Sequence, residues 1–151
     1  MATAIADMRP GVRGVRLAFL IVAWVVLIAI LVQVFFAGLA LFDDGSFWAT
    51  HRDFGYFLFF PALALLVLVF FGRFPRRMIG VTGLLFVLYM LQTSLPSLRA
   101  SAPLVAAYHP VNAFIVFALA GIVAWRSRAF VPTPLGTAKA VGPVAPLPAK
   151  P

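Results

Sequence analysis

Four long apolar runs, separated by short polar segments, make up most of the chain. They cover residues 17–42, 51–72, 78–98 and 104–125. Each is close to the length of about 20 residues that an α-helix needs to cross a bilayer. The first is longer than the apolar core of about 7–15 residues in a cleaved signal peptide, so we interpret it as a retained anchor. Because short connections make consecutive helices antiparallel neighbours, the pattern predicts an all-α polytopic membrane protein, an up-down four-helix transmembrane bundle over residues 17–128.

The composition also points to a lipid environment. Of the 151 residues, 64% are hydrophobic and 11% are charged, whereas a soluble domain is about half apolar and about a quarter charged. The lipid bilayer is therefore the first expected partner. The net charge of +8 flanks the apolar runs, which argues against a nucleic-acid partner. The absence of cysteine excludes disulfides, iron–sulfur clusters and covalently attached c-type haem.

The basic residues predict the orientation of the bundle. Ten of the twelve lie before the first run, between the second and third runs, or after the fourth, and the other two are Arg52 and Arg99. Because basic segments stay inside the cell, both termini are predicted to be cytoplasmic and the bundle to lie in the inner membrane. Residues 1–16 are then an N-terminal tail, and residues 129–151 are a Pro- and Ala-rich cytoplasmic tail.

The two histidines of the chain occupy matching positions. His51 opens the second apolar run in "T-H-R-D-F-G-Y", and His109 lies near the start of the fourth in "Y-H-P-V-N-A". Gln33 precedes the first histidine by 18 residues, and Gln92 precedes the second by 17. A small residue follows each histidine after four positions, and the correspondence suggests a degenerate duplication of a helix pair. The small residues are Gly55 and Ala113.

This arrangement permits a bis-histidine b-type haem. Helices two and four of an up-down bundle lie on a diagonal of roughly 11–14 Å, so two imidazoles at the same depth can reach one macrocycle. Gly55 and Ala113 would let the ring approach the backbone, because a residue four positions on lies on the same helix face. Arg52 and Arg99 are predicted at the same level and could pair with propionates.

Simpler interpretations stay open for the same residues. The histidines can be interfacial side chains without a ligand, and the small residues can serve close helix packing. Gln33, Gln92 and Asn112 are polar groups within apolar runs, which act either as hydrogen bonds between helices or as contacts to a quinone or other ligand. Thr50 and Asp53 resemble a helix capping box. Pro110 stands either in the first turn of the fourth helix or at a kink within it.

The strings "L-V-Q-V-F-F-A-G-L", "H-R-D-F-G-Y", "L-Q-T-S-L" and "Y-H-P-V-N-A" resemble a family of small four-span bacterial membrane proteins of unknown function, over about residues 17–128. More distantly, the histidine-bearing helix pairs resemble half of a haem A synthase or a four-helix membrane b-type cytochrome. That resemblance implies axial-ligand roles for His51 and His109. The chain holds one such bundle instead of two and lacks the expected acidic residue unless Asp43 or Asp44 replaces it, so the synthase activity is not transferred.

These observations favour a small membrane cytochrome-like protein that holds one b-type haem between His51 and His109, for electron transfer or as a haem-bearing subunit. The alternative is a cofactor-free accessory subunit of a larger respiratory or photosynthetic membrane complex. A small-molecule carrier that works as a homo-oligomer is a third possibility. No catalytic residue is predicted: the sequence contains no Gly-rich phosphate loop, and no acidic residue lies in the middle of an apolar run.

Overall fold

The computed structural model describes residues 9–131 of the chain. Its α-helices are α1 (Pro10–Phe42), α2 (Phe47–Phe57), α3 (Phe59–Phe71), α4 (Arg76–Ser94), α5 (Pro103–Ala106) and α6 (Tyr108–Ser127), with short 3-10 helices at Leu95–Arg99 and Arg128–Phe130. They combine into four membrane-spanning helical segments, which we call spans 1 to 4: Pro10–Phe42, Phe47–Phe71, Arg76–Arg99 and Pro103–Phe130. The prediction of an all-α bundle of four membrane spans is confirmed.

The largest differences from the sequence-based boundaries are at the start of span 1, at the start of span 2 and at the end of span 4, which lies at Phe130 instead of residue 125. Span 1 begins at Pro10 instead of residue 17, because a proline is well tolerated in the first turn of a helix and the segment after it offers no other break. Residues 10–16 are therefore helical, and of the two predicted tails residues 1–8 and 132–151 lie outside the described part. The prediction of a capping box at Thr50 and Asp53 was wrong. Span 2 begins at Phe47, so Thr50 already lies in the first turn and does not cap the helix.

Prolines interrupt two of the spans in the same way. Span 2 breaks at Leu58, three residues before Pro61, and span 4 breaks at Ala107, three residues before Pro110. A proline has no N–H for the carbonyl four residues earlier, and its ring crowds that carbonyl. The helix resumes in both spans after one residue. The break at Ala107 means that Pro110 stands in the first turn of α6, while the chain before it is also helical.

The spans pack in the ring order 1, 2, 3, 4. Span 1 packs against spans 2 and 4, and span 3 packs against the same two. Spans 2 and 4 therefore occupy a diagonal of the bundle. The centre between them is filled by apolar side chains that are almost completely buried, among them Phe19, Leu65, Val69 and Val123. Most exposed side chains along the spans are apolar too, as expected of a surface that faces lipid.

The two ends of the bundle differ in charge. At the end that we call the arginine end, span 1 begins and spans 2 and 4 finish. There Arg16 donates from Nε to the carbonyl of Gly72 at 2.8 Å and from its other nitrogens to the carbonyls of Arg73 and Phe130. Its guanidinium also lies over the ring of Phe74, 5.4 Å from the ring centroid. Arg16 thus ties three spans together at this end.

Candidate functional site

The site lies at the opposite end, which we call the histidine end, where span 1 passes into span 2 and span 3 into span 4. Its first half joins Gln33 of span 1 to His51 of span 2 by two hydrogen bonds. The amide nitrogen of Gln33 donates to the main-chain oxygen of His51 at 2.6 Å. The Nδ1 atom of His51 lies 2.9 Å from the main-chain oxygen of Gln33. The two residues are therefore locked to each other through both backbones.

The second half repeats this pairing with Gln92 of span 3 and His109 of span 4. Nδ1 of His109 lies 3.0 Å from the main-chain oxygen of Gln92. The side-chain amide of Gln92 turns toward the ring instead of the backbone and lies 3.2 Å from Nε2. Buried Asn112 holds that amide, because its Nδ2 donates to Oε1 of Gln92 at 2.8 Å and to the carbonyl of Leu88 at 2.9 Å. Three of the predicted polar residues thus form one network.

The hydrogen bonds to carbonyl oxygens define the state of each imidazole. A carbonyl oxygen can only accept, so Nδ1 of both His51 and His109 carries the proton. In a neutral ring Nε2 is then the unprotonated atom with a free lone pair. For His109 the amide nitrogen of Gln92 lies 3.2 Å from this atom and 3.1 Å from Nδ1, so the amide faces the ring without a bond that is specific to Nε2. For His51, no hydrogen bond to Nε2 is formed within residues 9–131.

The two imidazoles meet across the diagonal. Their ring centroids are 6.3 Å apart and their planes are inclined by 71°. The indole of Trp48 packs edge-on against His51, with ring centroids 5.7 Å apart. Both rings are half-buried. The bundle therefore brings the two histidines together at one depth, with protonated Nδ1 atoms tied back to spans 1 and 3.

Gly55 lies one turn deeper than His51 and is in contact with spans 1 and 3. A Cβ placed on it would come within 2.7 Å of the amide nitrogen of Gln33. Its carbonyl accepts a hydrogen bond of 2.9 Å from the hydroxyl of Tyr89. A glycine at this position lets the Gln33 side chain reach the backbone of His51. Ala113 is half-buried one turn deeper than His109.

The two arginines predicted near the histidines are exposed at this end. The guanidinium of Arg52 forms an ion pair with the neighbouring Asp53 at 2.8 Å. Arg99 ends the 3-10 helix that closes span 3. In the described part of the chain, no hydrogen bond joins either arginine to a histidine. The nearby loop is ordered by Asp44, which accepts from the amide and hydroxyl of Ser46, and these bonds lower the pKa of the Asp44 carboxyl.

The donor set for a metal consists of the two imidazoles alone. Within residues 9–131, no group of three or more His, Cys, Asp or Glu side chains converges on one point. A closed four-ligand site of the structural zinc type would need more protein donors than that. A metal that brings its own equatorial ligands, as iron does in a porphyrin, needs only two axial donors.

Tyr89 is a further residue of the site, one that the sequence did not single out. Its hydroxyl is a polar group in an apolar span, and it precedes Gln92 by three residues, so both lie on one face of α4. The residue is 8% exposed. The three-residue spacing to Gln92 could have indicated that Tyr89 belongs to the site. The chain contains so many aromatic residues that this spacing does not stand out.

Residues 33–98 match a family whose description is "Family of unknown function (DUF6220)". The matched segment is less than half of the chain. It starts at Gln33 and contains His51, Gly55 and Gln92, whereas His109 and Asn112 lie beyond it. No curated protein and no solved structure matches the chain. The resemblance to an uncharacterised family is therefore supported over a shorter range than residues 17–128, and it brings no activity with it.

Proposed function

We propose that this protein is a small cytochrome-like integral membrane protein that binds one b-type haem between His51 and His109. It serves in electron transfer or as a haem-bearing subunit of a membrane assembly. The observation that carries the proposal is the pair of facing imidazoles on the diagonal spans 2 and 4, with centroids 6.3 Å apart. An imidazole nitrogen binds a first-row metal ion such as zinc at about 2.0–2.1 Å, so two rings that share one ion have centres about 6 Å apart.

The hydrogen bonds of the two rings support the same function. Histidines that bind a metal usually donate their other ring N–H to a carboxylate, a carbonyl or a water, which fixes the tautomer and the orientation of the ring. His51 and His109 both do this through Nδ1 to a main-chain carbonyl.

In this proposal, each residue of the site has a role in holding a non-covalent haem. His51 and His109 would be the axial ligands through Nε2, and bound haem iron would supply one-electron redox chemistry. The Gln92 amide nitrogen, which lies 3.2 Å from Nε2 and 3.1 Å from Nδ1 of His109, would have to move away if Nε2 held iron. Ala113 offers little side-chain bulk one turn deeper than His109, whereas the Gln33 amide occupies the space beside Gly55 and would have to move for a ring to approach there. Arg52 and Arg99 provide positive charge at the histidine end for the propionates.

Two finer points of topology belong to the same proposal. Eight of the twelve basic residues lie at the arginine end, and Lys139 and Lys150 follow span 4 in the sequence, so we assign that end to the cytoplasm and the histidine end to the outer face of a bacterial inner membrane. The haem then lies near the outer surface. The distant resemblance to half of a haem A synthase agrees with ligands on the second and fourth helices, but this chain is proposed to carry electrons and not to modify haem.

The test is a reduced-minus-oxidised visible spectrum of the full chain, purified in detergent after expression with added haem. We expect a b-type haem spectrum in the native protein and none in a His51→Ala/His109→Ala double variant. A Tyr108→Phe variant is the matched control, because Tyr108 is exposed beside His109 and its hydroxyl has no part in the site. Absence of haem from the native protein would reject the proposal and favour the cofactor-free accessory subunit.

A further inference from the structure

An open crevice of about 640 Å³ lies at the arginine end, between the start of span 3 and the end of span 4. Three arginines line it, together with apolar and aromatic side chains. The lining includes Arg77, Arg126, Arg128, Trp125, Met78 and Phe130. The crevice is far from the two histidines and is independent of the proposed haem.

The three arginines of the crevice direct their guanidiniums to no hydrogen-bond acceptor of the described part of the protein. Arg16 at the same end behaves differently, because three main-chain carbonyls accept from it. Arg128 stacks over the ring of Trp125 at 3.4 Å, which holds its planar guanidinium beside the crevice.

The sequence offers almost no carboxylate to balance these charges. All four acidic residues of the chain lie at or before Asp53, and none follows it through residue 151. Asp43, Asp44 and Asp53 belong to the histidine end. Three cations that line one crevice repel one another unless an anion approaches. The fourth acidic residue, Asp7, precedes the described residues. Within residues 9–131 no carboxylate belongs to the arginine end, so an anion from outside this part of the chain would balance the three charges.

We infer that the crevice binds the phosphate headgroup of an anionic phospholipid. Guanidinium groups bind phosphate oxygens in a bidentate manner, and basic pockets between transmembrane helices are suited to such headgroups. Trp125 is 63% exposed next to the arginines, and an indole at the end of a span lies at the level of lipid headgroups. Half-buried Phe130 and exposed Trp125 add apolar surface to the lining of the crevice, which suits a lipid better than a soluble phosphate ion.

The test compares lipid retention by three full-length proteins taken from vesicles of equal parts phosphatidylglycerol and phosphatidylcholine. The crevice variant is Arg77→Gln/Arg126→Gln/Arg128→Gln. The control variant, Arg9→Gln/Arg13→Gln/Arg76→Gln, removes the same charge from exposed positions outside the crevice. Native mass spectrometry counts the bound lipids, and we expect bound phosphatidylglycerol to fall about tenfold or more in the crevice variant alone. Equal loss in both variants, or no loss in the crevice variant, would overturn the inference.

Two further measurements keep the inference testable if the crevice variant unfolds. In a Trp24→Phe/Trp48→Phe protein, Trp125 is the remaining tryptophan, and we expect brominated phosphatidylglycerol to quench its fluorescence more than brominated phosphatidylcholine. Equal quenching would overturn the inference. Inorganic phosphate, added at millimolar concentration, should leave bound phosphatidylglycerol unchanged. Displacement by phosphate would assign the crevice to a soluble anion instead of a lipid.

Discussion

Nδ1 of His109 is hydrogen-bonded to the main-chain oxygen of Gln92 at 3.0 Å, across the boundary between spans 3 and 4. Because the acceptor belongs to the backbone, the bond does not depend on the glutamine side chain. The side chain of Gln92 makes a separate hydrogen bond, because its Oε1 accepts from Nδ2 of buried Asn112. Gln33 differs in this respect, because its Oε1 is buried and has no hydrogen-bond partner in the described part of the chain.

This contrast predicts unequal effects of the same substitution at the two glutamines. Gln92→Met should lower the free energy of unfolding by about 1–2 kcal/mol, because one N–H of Asn112 loses its acceptor in a buried place. Gln33→Met should cost less than about 1 kcal/mol, because it also removes an unpartnered oxygen. Denaturant titration in detergent measures both values. The account is wrong on this point if Gln33→Met proves the more costly of the two.

The same pair of variants bears on the haem. Gln92→Met removes the amide that lies 3.2 Å from Nε2 of His109 and leaves the backbone acceptor of Nδ1 in place. We therefore expect the haem content per chain to be retained in this variant. Quantification of haem against protein after purification checks it. Loss of haem in Gln92→Met at unchanged folding would mean that the side chain, and not the backbone, positions the ligand.

Tyr89→Phe should destabilise the bundle by about 1 kcal/mol, the usual contribution of one hydrogen bond. The tyrosine hydroxyl donates to the carbonyl of Gly55, which lies just before the break of span 2 at Leu58. The phenylalanine ring keeps the packing, so the loss isolates the hydrogen bond. Thermal unfolding in detergent measures the change. A variant as stable as the native protein would show that the hydroxyl contributes nothing net.

Gly72→Ala should destabilise the arginine end by about 1–3 kcal/mol, because a methyl group there would lie 2.5 Å from the ring of Phe74 and 3.0 Å from the carbonyl of Leu68. Phe74 is buried against Phe19, so its ring has little room to move. Gly80→Ala is the control, since no atom lies within 4 Å of its added methyl group. Thermal unfolding of the two variants should differ in sign, because alanine favours the helix at the open position. Equal stability of both would refute the clash.

The proposed orientation is tested by thiol labelling, which is clean in a chain without cysteine. Ser101→Cys places one thiol in the exposed loop at the histidine end, and Ala129→Cys places one at the arginine end. A membrane-impermeant maleimide applied to intact spheroplasts should label the first variant only. Labelling of Ala129→Cys alone would reverse the assignment of the two faces.

Much of the fold follows from the sequence because lipid imposes a simple rule on it. A run of about 20 apolar residues can satisfy its backbone in a bilayer only as a helix, so the four spans are readable from hydropathy. Short loops then fix the ring order and place spans 2 and 4 on a diagonal. The start of span 1 was harder to predict from the sequence. The segment from Pro10 to Arg16 is polar enough to resemble a tail, and yet it is part of the helix.

Only part of the site could be predicted from the sequence. The matched spacings of Gln33 to His51 and of Gln92 to His109 indicated a duplicated helix pair, but they did not predict that each glutamine is hydrogen-bonded to its histidine. The sequence could not show that the partners of the two Nδ1 atoms are main-chain oxygens, because every residue carries one. The Gln33 amide fills the space beside Gly55. This contact depends on how far each helix is rotated about its own axis, and an almost uniformly apolar sequence does not define that rotation.

The most direct test of the central proposal is the low-temperature electron paramagnetic resonance spectrum of the oxidised protein with its haem, recorded beside His51→Ala and His109→Ala single variants. If both imidazoles bind the same iron, the native protein gives a low-spin ferric signal, and each single variant loses that signal or changes to high spin. A native protein that is high-spin or free of haem, or a single variant whose low-spin signal is unchanged, would contradict ligation by the facing pair His51 and His109.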